Sequence, residues 1–287
     1  MPSQDVNAYL NTLLNKLSDE ISSHNELHGV LLTVEEFLKK YPSEMPKVEE
    51  LLTNEVVIEK LLDDQCNLTK YAYLKVLNMF TSIKNQSLLL TKLSEFVGTQ
   101  YKSDVWEPLM MTEVAKFLLK ENGSLVSKEI IGSLISHIDN SVREVVFEII
   151  SDYSILPEIF EEHLISRFDK EDNPKCIIGL LNCCSKISSK KMLLDHCLKL
   201  FLLFENSENS DVKVSILNCC SKIMKECQNK DYLMSFAILV KESLDAQHPT
   251  TLREASVRAL AENNKLLVEV KHETRYEFES TGRLQTY

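Results

Sequence analysis

The sequence predicts an all-α protein built from repeated pairs of helices. Only 6 Gly and 7 Pro occur in 287 residues, so the chain is poor in residues that form β-turns. Apolar residues make up 44% of the chain, which is enough to build a substantial core. The stretch LNCCSKI occurs at 181–187 and again, unchanged, at 217–223. Together these observations indicate helices that recur at a fixed period.

The repeat extends beyond the identical stretches. The segments 176–187 and 212–223 align at an offset of 36 residues, and 142–153 fits the same frame 34 residues upstream. Helix pairs with periods of about 34 to 47 residues form solenoids, because one pair cannot bury its apolar face alone. The tetratricopeptide pattern is absent around Trp106, the only Trp. The sequence therefore predicts an α-solenoid of HEAT/armadillo-like helical repeats.

A short polar segment rich in Asp, Asn and Ser precedes each repeat helix. We call such a segment between two helices a polar corner. Short polar side chains there can accept hydrogen bonds from the first backbone N–H groups of a helix. A fourth corner, at 245–251, is followed by Leu252-Arg253, which stand where Val142-Arg143 and Val212-Lys213 stand in the other copies. An apolar-basic pair after such a corner is typical of HEAT repeats.

Weaker units precede these repeats. The segments 68–83 and 104–122 are apolar at helical spacing, and the first echoes the repeated stretch. We expect residues 1–270 to form a single α-solenoid of about seven or eight helix pairs, with the repeats clearest over 136–262. Residues 271–287 are expected to form a polar, truncated C-terminal tail.

The charge balance is acidic, with a formal net charge of -11 spread along the chain. Such a chain repels phosphate backbones on average, so contact with nucleic acid would need a local basic patch or a partner. No run of 18 apolar residues occurs, and the N-terminal stretch lacks the features of a secretory signal. We therefore expect a soluble cytoplasmic protein with no membrane partner.

Eight cysteines occur, including the adjacent pairs Cys183-Cys184 and Cys219-Cys220. Zinc sites favour cysteines separated by two to four residues, whereas adjacent side chains on a helix diverge by about 100°. Without an export signal the thiols should stay reduced, and a free cysteine behaves as a small apolar residue. The sequence predicts core thiols at equivalent positions of successive repeats, and no metal.

No catalytic motif is present. The common nucleotide-binding, zinc-protease and hydrolase signatures are absent, and His196-Cys197 are adjacent on a predicted helix, so they face different ways. His24 and His28 have the spacing of two metal ligands on one helix face but lack a third ligand nearby. We therefore predict that the chain is not an enzyme, and we assign it no catalytic residue and no cofactor.

The segment 24–42 carries the most distinctive motif. A glycine within a helical pattern costs about 1 kcal/mol relative to alanine, so Gly29 is expected to permit a close helix contact or a local break. The motif resembles the N-x-LHG-x-LL helix in the C-terminal region of the thyroid adenoma-associated protein family. Its matching residues are Asn25, Leu27, His28, Gly29, Leu31 and Leu32.

The resemblance implies a function. Members of that family are long helical-repeat solenoids, and the fungal ones are non-catalytic partners of FtsJ-type tRNA 2′-O-methyltransferases. By this resemblance the chain corresponds to the C-terminal part of a longer protein. It would hold the methyltransferase and present tRNA within the complex, so that the anticodon-loop ribose reaches the catalytic subunit. The methyl donor, S-adenosylmethionine, would belong to that partner.

Two other hypotheses about function stay open. A generic HEAT-repeat protein-protein adaptor, acting in transport or complex assembly, needs no tRNA and explains the repeats equally well. An enzyme that uses the cysteine-rich repeats would instead need accessible, reactive thiols. Basic residues near the C-terminus could form a binding strip, although interspersed acids make a mixed solvated face the alternative. The candidate strip consists of Arg253, Arg258, Lys265, Lys271 and Arg275.

Overall fold

The structure is a computed structural model that describes residues 3–18, 22–80, 86–98, 106–120, 126–168, 170–188 and 193–263. Within these ranges it contains fifteen α-helices, one short 3₁₀-helix at Pro42–Glu44 and no β-strand. The helices are α1 (Ser3–Ser18), α2 (His24–Lys40), α3 (Met45–Leu52), α4 (Glu55–Leu62), α5 (Asn67–Leu77), α6 (Gln86–Gly98), α7 (Trp106–Lys120), α8 (Lys128–Ile135), α9 (Asn140–Asp152), α10 (Glu158–Phe168), α11 (Pro174–Cys184), α12 (Cys197–Asn206), α13 (Ser210–Met224), α14 (Lys230–Glu242) and α15 (Thr250–Glu262). The prediction of an all-α protein is confirmed.

The chain divides into two compact units, Met1–Ile150 and Ser151–Tyr287. In the first unit, α2, α5 and α7 pack side by side in one layer. The helices α1, α4, α6 and α8 contact one another in chain order and form a second layer. Since α1 packs on α2, α4 on α5 and α6 on α7, the unit contains three stacked helix pairs among its described residues. The expectation of one solenoid over 1–270 stays a prediction.

The second unit contains the clearest repeats. Here α11, α13 and α15 pack side by side, while α10, α12 and α14 pack on them in that order. The two copies of the repeated stretch begin on α11 and lie on α13, so equal sequences occupy neighbouring helices. The periodicity seen in the sequence thus corresponds to direct helix packing, as a repeat that buries its apolar face against the next copy requires.

The apolar positions after each polar corner are buried in the same register. Val142, Val212 and Leu252 are all buried near the start of their helices. The basic residue that follows differs in its role. The guanidinium of Arg143 donates to the carbonyls of His137 and Ile138 at 2.6 and 2.9 Å and so fastens the corner before α9. Lys213 instead places its ammonium over the Phe204 ring, 5.1 Å from the ring centre.

The polar corners cap helices as predicted. The side-chain oxygen of Asn173 accepts from the backbone N–H groups of Lys175 and Cys176, and Asn209 and Asn229 do the same for α13 and α14. Such a cap contributes about 1 kcal/mol, because it pairs N–H groups that have no partner within the helix. The fourth corner differs, since Pro249 precedes α15 and provides no side-chain cap.

Polar groups connect the helices of the first-unit layer. The carboxylate of Glu35 on α2 receives the Lys75 ammonium of α5 at 3.0 Å and the Lys39 ammonium at 2.9 Å. At the next helix interface of this layer, the side-chain amide of Asn78, which directly follows α5, donates to the carboxylate of Glu113 on α7 at 2.9 Å. Both glutamates are buried, and a buried carboxylate is tolerated only where it is paired. These contacts therefore fix the relative register of neighbouring helices.

No helix among the described residues is long and apolar enough to cross a membrane.

The Glu35 pair predicts a pH dependence of stability. Burial raises the pKa of this carboxyl group, but hydrogen bonds from Lys39 and Lys75 outweigh that effect and hold the pKa below its ordinary value of 4.5. The stabilisation is therefore fully present above about pH 4.5 and is lost as the pH falls through the folded-state pKa. We expect the difference in unfolding free energy between wild type and Glu35→Gln to shrink as the pH falls from about 7 to about 3, as measured by urea denaturation. A difference that stays constant over this range would contradict the pairing.

Candidate functional site

A polar groove crosses α11, α13 and α15 in the second unit. Its volume is about 210 Å³, and we call it the repeat groove. The side chains that give it its chemistry are Asn182, Ser185, Asn218, Lys222, Arg258 and Glu262. Because the groove runs over three successive repeat helices, its wall is made by the same sequence positions used more than once.

One residue from each helix forms a row across the repeat groove. Asn182 and Asn218 are the same position of the two copies, 36 residues apart. Arg258 follows Asn218 by 40 residues, the same offset that relates Leu252 to Val212, and both of these apolar residues are buried. The row therefore places two carboxamides and one guanidinium at equivalent positions of neighbouring helices.

Part of the polar wall is already paired. The Lys222 ammonium donates to the hydroxyl of Ser185 at 3.1 Å and so connects α13 to α11. Glu262 accepts from the Lys225 ammonium at 2.9 Å and from the Ser221 hydroxyl at 3.2 Å. Hydrogen bonding by Lys225 holds the pKa of the Glu262 carboxyl below its ordinary value, so this group stays ionised at neutral pH.

Within the part of the chain that the structure describes, the side chains of Asn182, Asn218 and Arg258 have no hydrogen-bond or ion-pair partner. Asn182 on α11 and Arg258 on α15 are exposed, and Asn218 on α13 between them is half-buried. A guanidinium offers five N–H donors and a carboxamide offers two donors and an acceptor, so the row is rich in hydrogen-bond donors.

The cysteines lie beneath this surface. Seven of the eight are buried, including both adjacent pairs, and Cys66 is intermediate. Burial raises the pKa of Cys197 to about 12, and burial also raises the pKa values of Cys183 and Cys220. A thiol reacts as its thiolate, so these groups are unreactive at neutral pH. The prediction of core thiols at equivalent repeat positions is confirmed.

Metal ligation has no candidate cluster among the described residues, where no group of three or more His, Cys, Asp or Glu side chains could hold an ion. The ring nitrogen Nδ1 of His24 lies 2.9 Å from the carboxylate of Asp64, and this contact joins the start of α2 to the loop before α5. His24 therefore has a structural partner.

The distinctive motif lies on α2 and is divided between core and surface. Leu27 and Leu31 are buried, whereas Asn25 and Leu32 are exposed and His28 is intermediate. Ser23 caps the helix, and its hydroxyl and the Glu26 carboxylate form a reciprocal capping box.

The expectation for Gly29 is wrong in both of its forms. The residue is exposed, α2 continues through it without a break, and a Cβ added there would meet nothing within 4 Å. No close helix contact therefore requires a glycine. The carbonyl of Gly29 accepts from the Thr33 hydroxyl at 2.7 Å, which is an ordinary contact within one helix.

The basic strip is only partly described. Arg253 is half-buried on α15, where its guanidinium donates to the Thr250 hydroxyl at 3.2 Å, while Arg258 lines the repeat groove. Residues five positions apart on a helix point about 140° apart, so these two arginines lie on different faces. Lys265, Lys271 and Arg275 lie outside the described residues.

Asn182 and Asn218 are functional candidates that the sequence alone did not single out. The signal was present, because the same Asn precedes the cysteine pair in both copies and falls on the polar side of the apolar pattern. A polar residue kept at one position of two repeats, where packing does not require it, indicates a shared surface.

Comparisons of the chain with protein-family models, with curated proteins and with solved structures returned no match.

Thiol labelling tests the burial of the cysteines. In the native protein we expect a thiol reagent to modify about one group quickly, namely Cys66, because the other seven are buried with unreactive thiols. All eight should react after unfolding in guanidinium chloride. The matched variant Cys66→Ser should remove the fast phase. Fast labelling of several thiols in the native wild type would instead support the hypothesis that the chain is an enzyme with reactive cysteines in its repeats.

Substitution of the surface glycine tests the absence of a tight contact. Gly29→Ala should raise the free energy of unfolding by about 1 kcal/mol, because alanine favours the helix and its Cβ has open space. The control Leu27→Ala, two residues away and buried, should lower it by about 2–5 kcal/mol. A loss of stability in Gly29→Ala would show that the added methyl group meets a neighbour.

Proposed function

We propose that this chain is a non-catalytic helical-repeat scaffold of HEAT/armadillo type that holds a partner protein on the repeat groove. The observation that supports this most is the row of Asn182, Asn218 and Arg258, which repeats one sequence position on three packed helices. Extended repeat surfaces recognise large partners by summing many modest contacts, since each repeat adds similar groups at a regular spacing.

The buried thiols also favour a scaffold over an enzyme. Nucleophilic catalysis needs an activated group with a base within reach. In this chain burial raises the pKa of Cys197 and Cys220, which is the opposite of activation. The described carboxylate of the groove, Glu262, is engaged in an ion pair with Lys225.

The resemblance of the α2 motif suggests the partner. We propose that the chain acts as the C-terminal part of a regulatory subunit that helps an FtsJ-type enzyme 2′-O-methylate the tRNA anticodon loop, in the cytoplasm. In that role the enzyme supplies S-adenosylmethionine and the chemistry, and this chain supplies binding area and orientation. The exposed part of the motif, Asn25 and Leu32, would then belong to a surface of the assembly.

A generic adaptor role is the second candidate. The repeat groove is favourable for binding a protein segment whether or not tRNA is present, and the net charge of -11 gives the chain no general attraction for RNA. An adaptor would capture its partner through the same three helices.

A pull-down from native cytosol distinguishes these roles. We expect tagged wild-type protein to recover an FtsJ-type methyltransferase together with tRNA, and Asn182→Ala/Asn218→Ala to lose at least about tenfold of the captured enzyme, since each lost polar contact costs about 1 kcal/mol or more. The matched control, Asn206→Ala/Gln228→Ala, removes two exposed amides outside the groove and should retain the partner.

The alternative outcomes are equally specific. Recovery of other proteins with neither methyltransferase nor tRNA, lost in the groove variant, would contradict the methylation role and support the adaptor. Recovery that is equal in both double variants would remove the repeat groove as the binding site.

A further inference from the structure

The repeat groove is locally cationic within an acidic chain. Among the described residues that line it, Lys222 and Arg258 carry positive charge and Glu262 is the one carboxylate, which is paired with Lys225. The ammonium of Lys222 bonds a neutral hydroxyl, so its charge is not neutralised by that contact. A ligand would therefore bind most tightly if it placed a negatively charged group at the α15 end of the groove, beside Arg258.

The row also offers a regular spacing. Packed helices lie about 8–10 Å apart, and an extended peptide rises about 3.3 Å per residue. An extended segment that crosses α11, α13 and α15 therefore meets a new helix about every third residue, and about six residues cover the row. The carboxamides of Asn182 and Asn218 can each pair with main-chain groups, which an extended peptide presents at every residue.

Nucleic acid suits this groove less well. None of the described residues that line it is aromatic, so these residues offer no platform on which a base could stack. A phosphate backbone would also bring repeated charges toward Glu262 and toward a chain of net charge -11. A peptide needs only one or two acidic side chains and is otherwise neutral along its main chain.

We infer that the repeat groove binds an extended acidic segment of a partner protein, with its main chain on Asn182 and Asn218 and a carboxylate on Arg258. The inference rests on the proposed scaffold function and adds the chemical class of the bound segment. The carboxylate can accept two parallel N–H bonds from the guanidinium, a geometry that an ammonium cannot provide. Lys222 then attracts the bound acidic segment electrostatically while its ammonium keeps the hydrogen bond to Ser185.

The test is fluorescence anisotropy with the full chain and labelled twelve-residue peptides of alternating Ser with Glu, Gln or Lys. The Glu peptide should bind, and the Gln peptide should bind about tenfold more weakly, because it keeps the shape and loses the charge. The Arg258→Ala variant should bind the Glu peptide about tenfold more weakly than wild type does. The Arg258→Glu variant should bind the Glu peptide no more tightly than the Lys peptide. Lys230→Ala, which removes an exposed cation at the start of α14, is the matched control and should bind as wild type does.

Three results would overturn the inference. These are equal binding of the Glu and Gln peptides, undiminished binding by Arg258→Ala, and tighter binding of a labelled twelve-nucleotide oligouridylate than of the Glu peptide. Thermal unfolding of each variant verifies that it is folded, since Arg258 is exposed and its replacement removes no core contact.

The peptide-binding test and the pull-down can fail independently, so their outcomes distinguish this inference from the scaffold function. If Asn182→Ala/Asn218→Ala loses the captured partner while the peptides show no preference for charge, the scaffold function stands and the acidic segment does not. If the same variant keeps the partner while Arg258→Ala weakens the Glu peptide, the groove binds acidic segments but is not where that partner is held.

Discussion

The inability of a single helix pair to bury its own apolar face is the constraint on which this structure depends. Each of α11, α13 and α15 buries one face against its neighbour in the layer and another against α10, α12 or α14. Close packing of this kind requires small side chains where helices meet, and the buried Cys219 and Cys220 meet that requirement on α13. The identical pair on α11 follows from the same need, so the repeated cysteines reflect packing.

Apolar packing alone would allow neighbouring helices to slide, and polar contacts restrict that freedom. In the first unit Glu35 meets Lys75, and Asn78 meets Glu113. In the second unit the buried Asn263 amide donates to the carbonyl of Ser221 at 2.8 Å, so the end of α15 is fixed against α13. Each contact joins residues about 35 to 42 positions apart in sequence, which is the length of one repeat.

Much of the fold could be predicted from the sequence, because helical periodicity and polar corners are local signals. The burial of Val142, Val212 and Leu252 and the caps at Asn173 and Asn209 were all visible in the pattern. The surface position of Gly29 was not, because whether a helix face has a neighbour depends on packing across the layer. The same limit applies to the repeat groove. Asn182 and Asn218 could be aligned from the sequence, but only the structure shows Arg258 beside them on a third packed helix.

The stretch LNCCSKI, which begins on α11 and recurs on α13, has a consequence for how the chain folds. Two segments that share this stretch offer α15 two similar docking surfaces during folding, and such ambiguity produces kinetic traps in repeat proteins. The two copies differ two residues after the shared stretch, where the second copy has Lys225 and the first has Ser189. The second copy therefore provides the Lys225 ammonium that pairs with Glu262 at 2.9 Å, and the first copy has no lysine at that position. An exposed ion pair of this kind contributes about 1 kcal/mol or less to stability, yet here it distinguishes the correct neighbour from its duplicate.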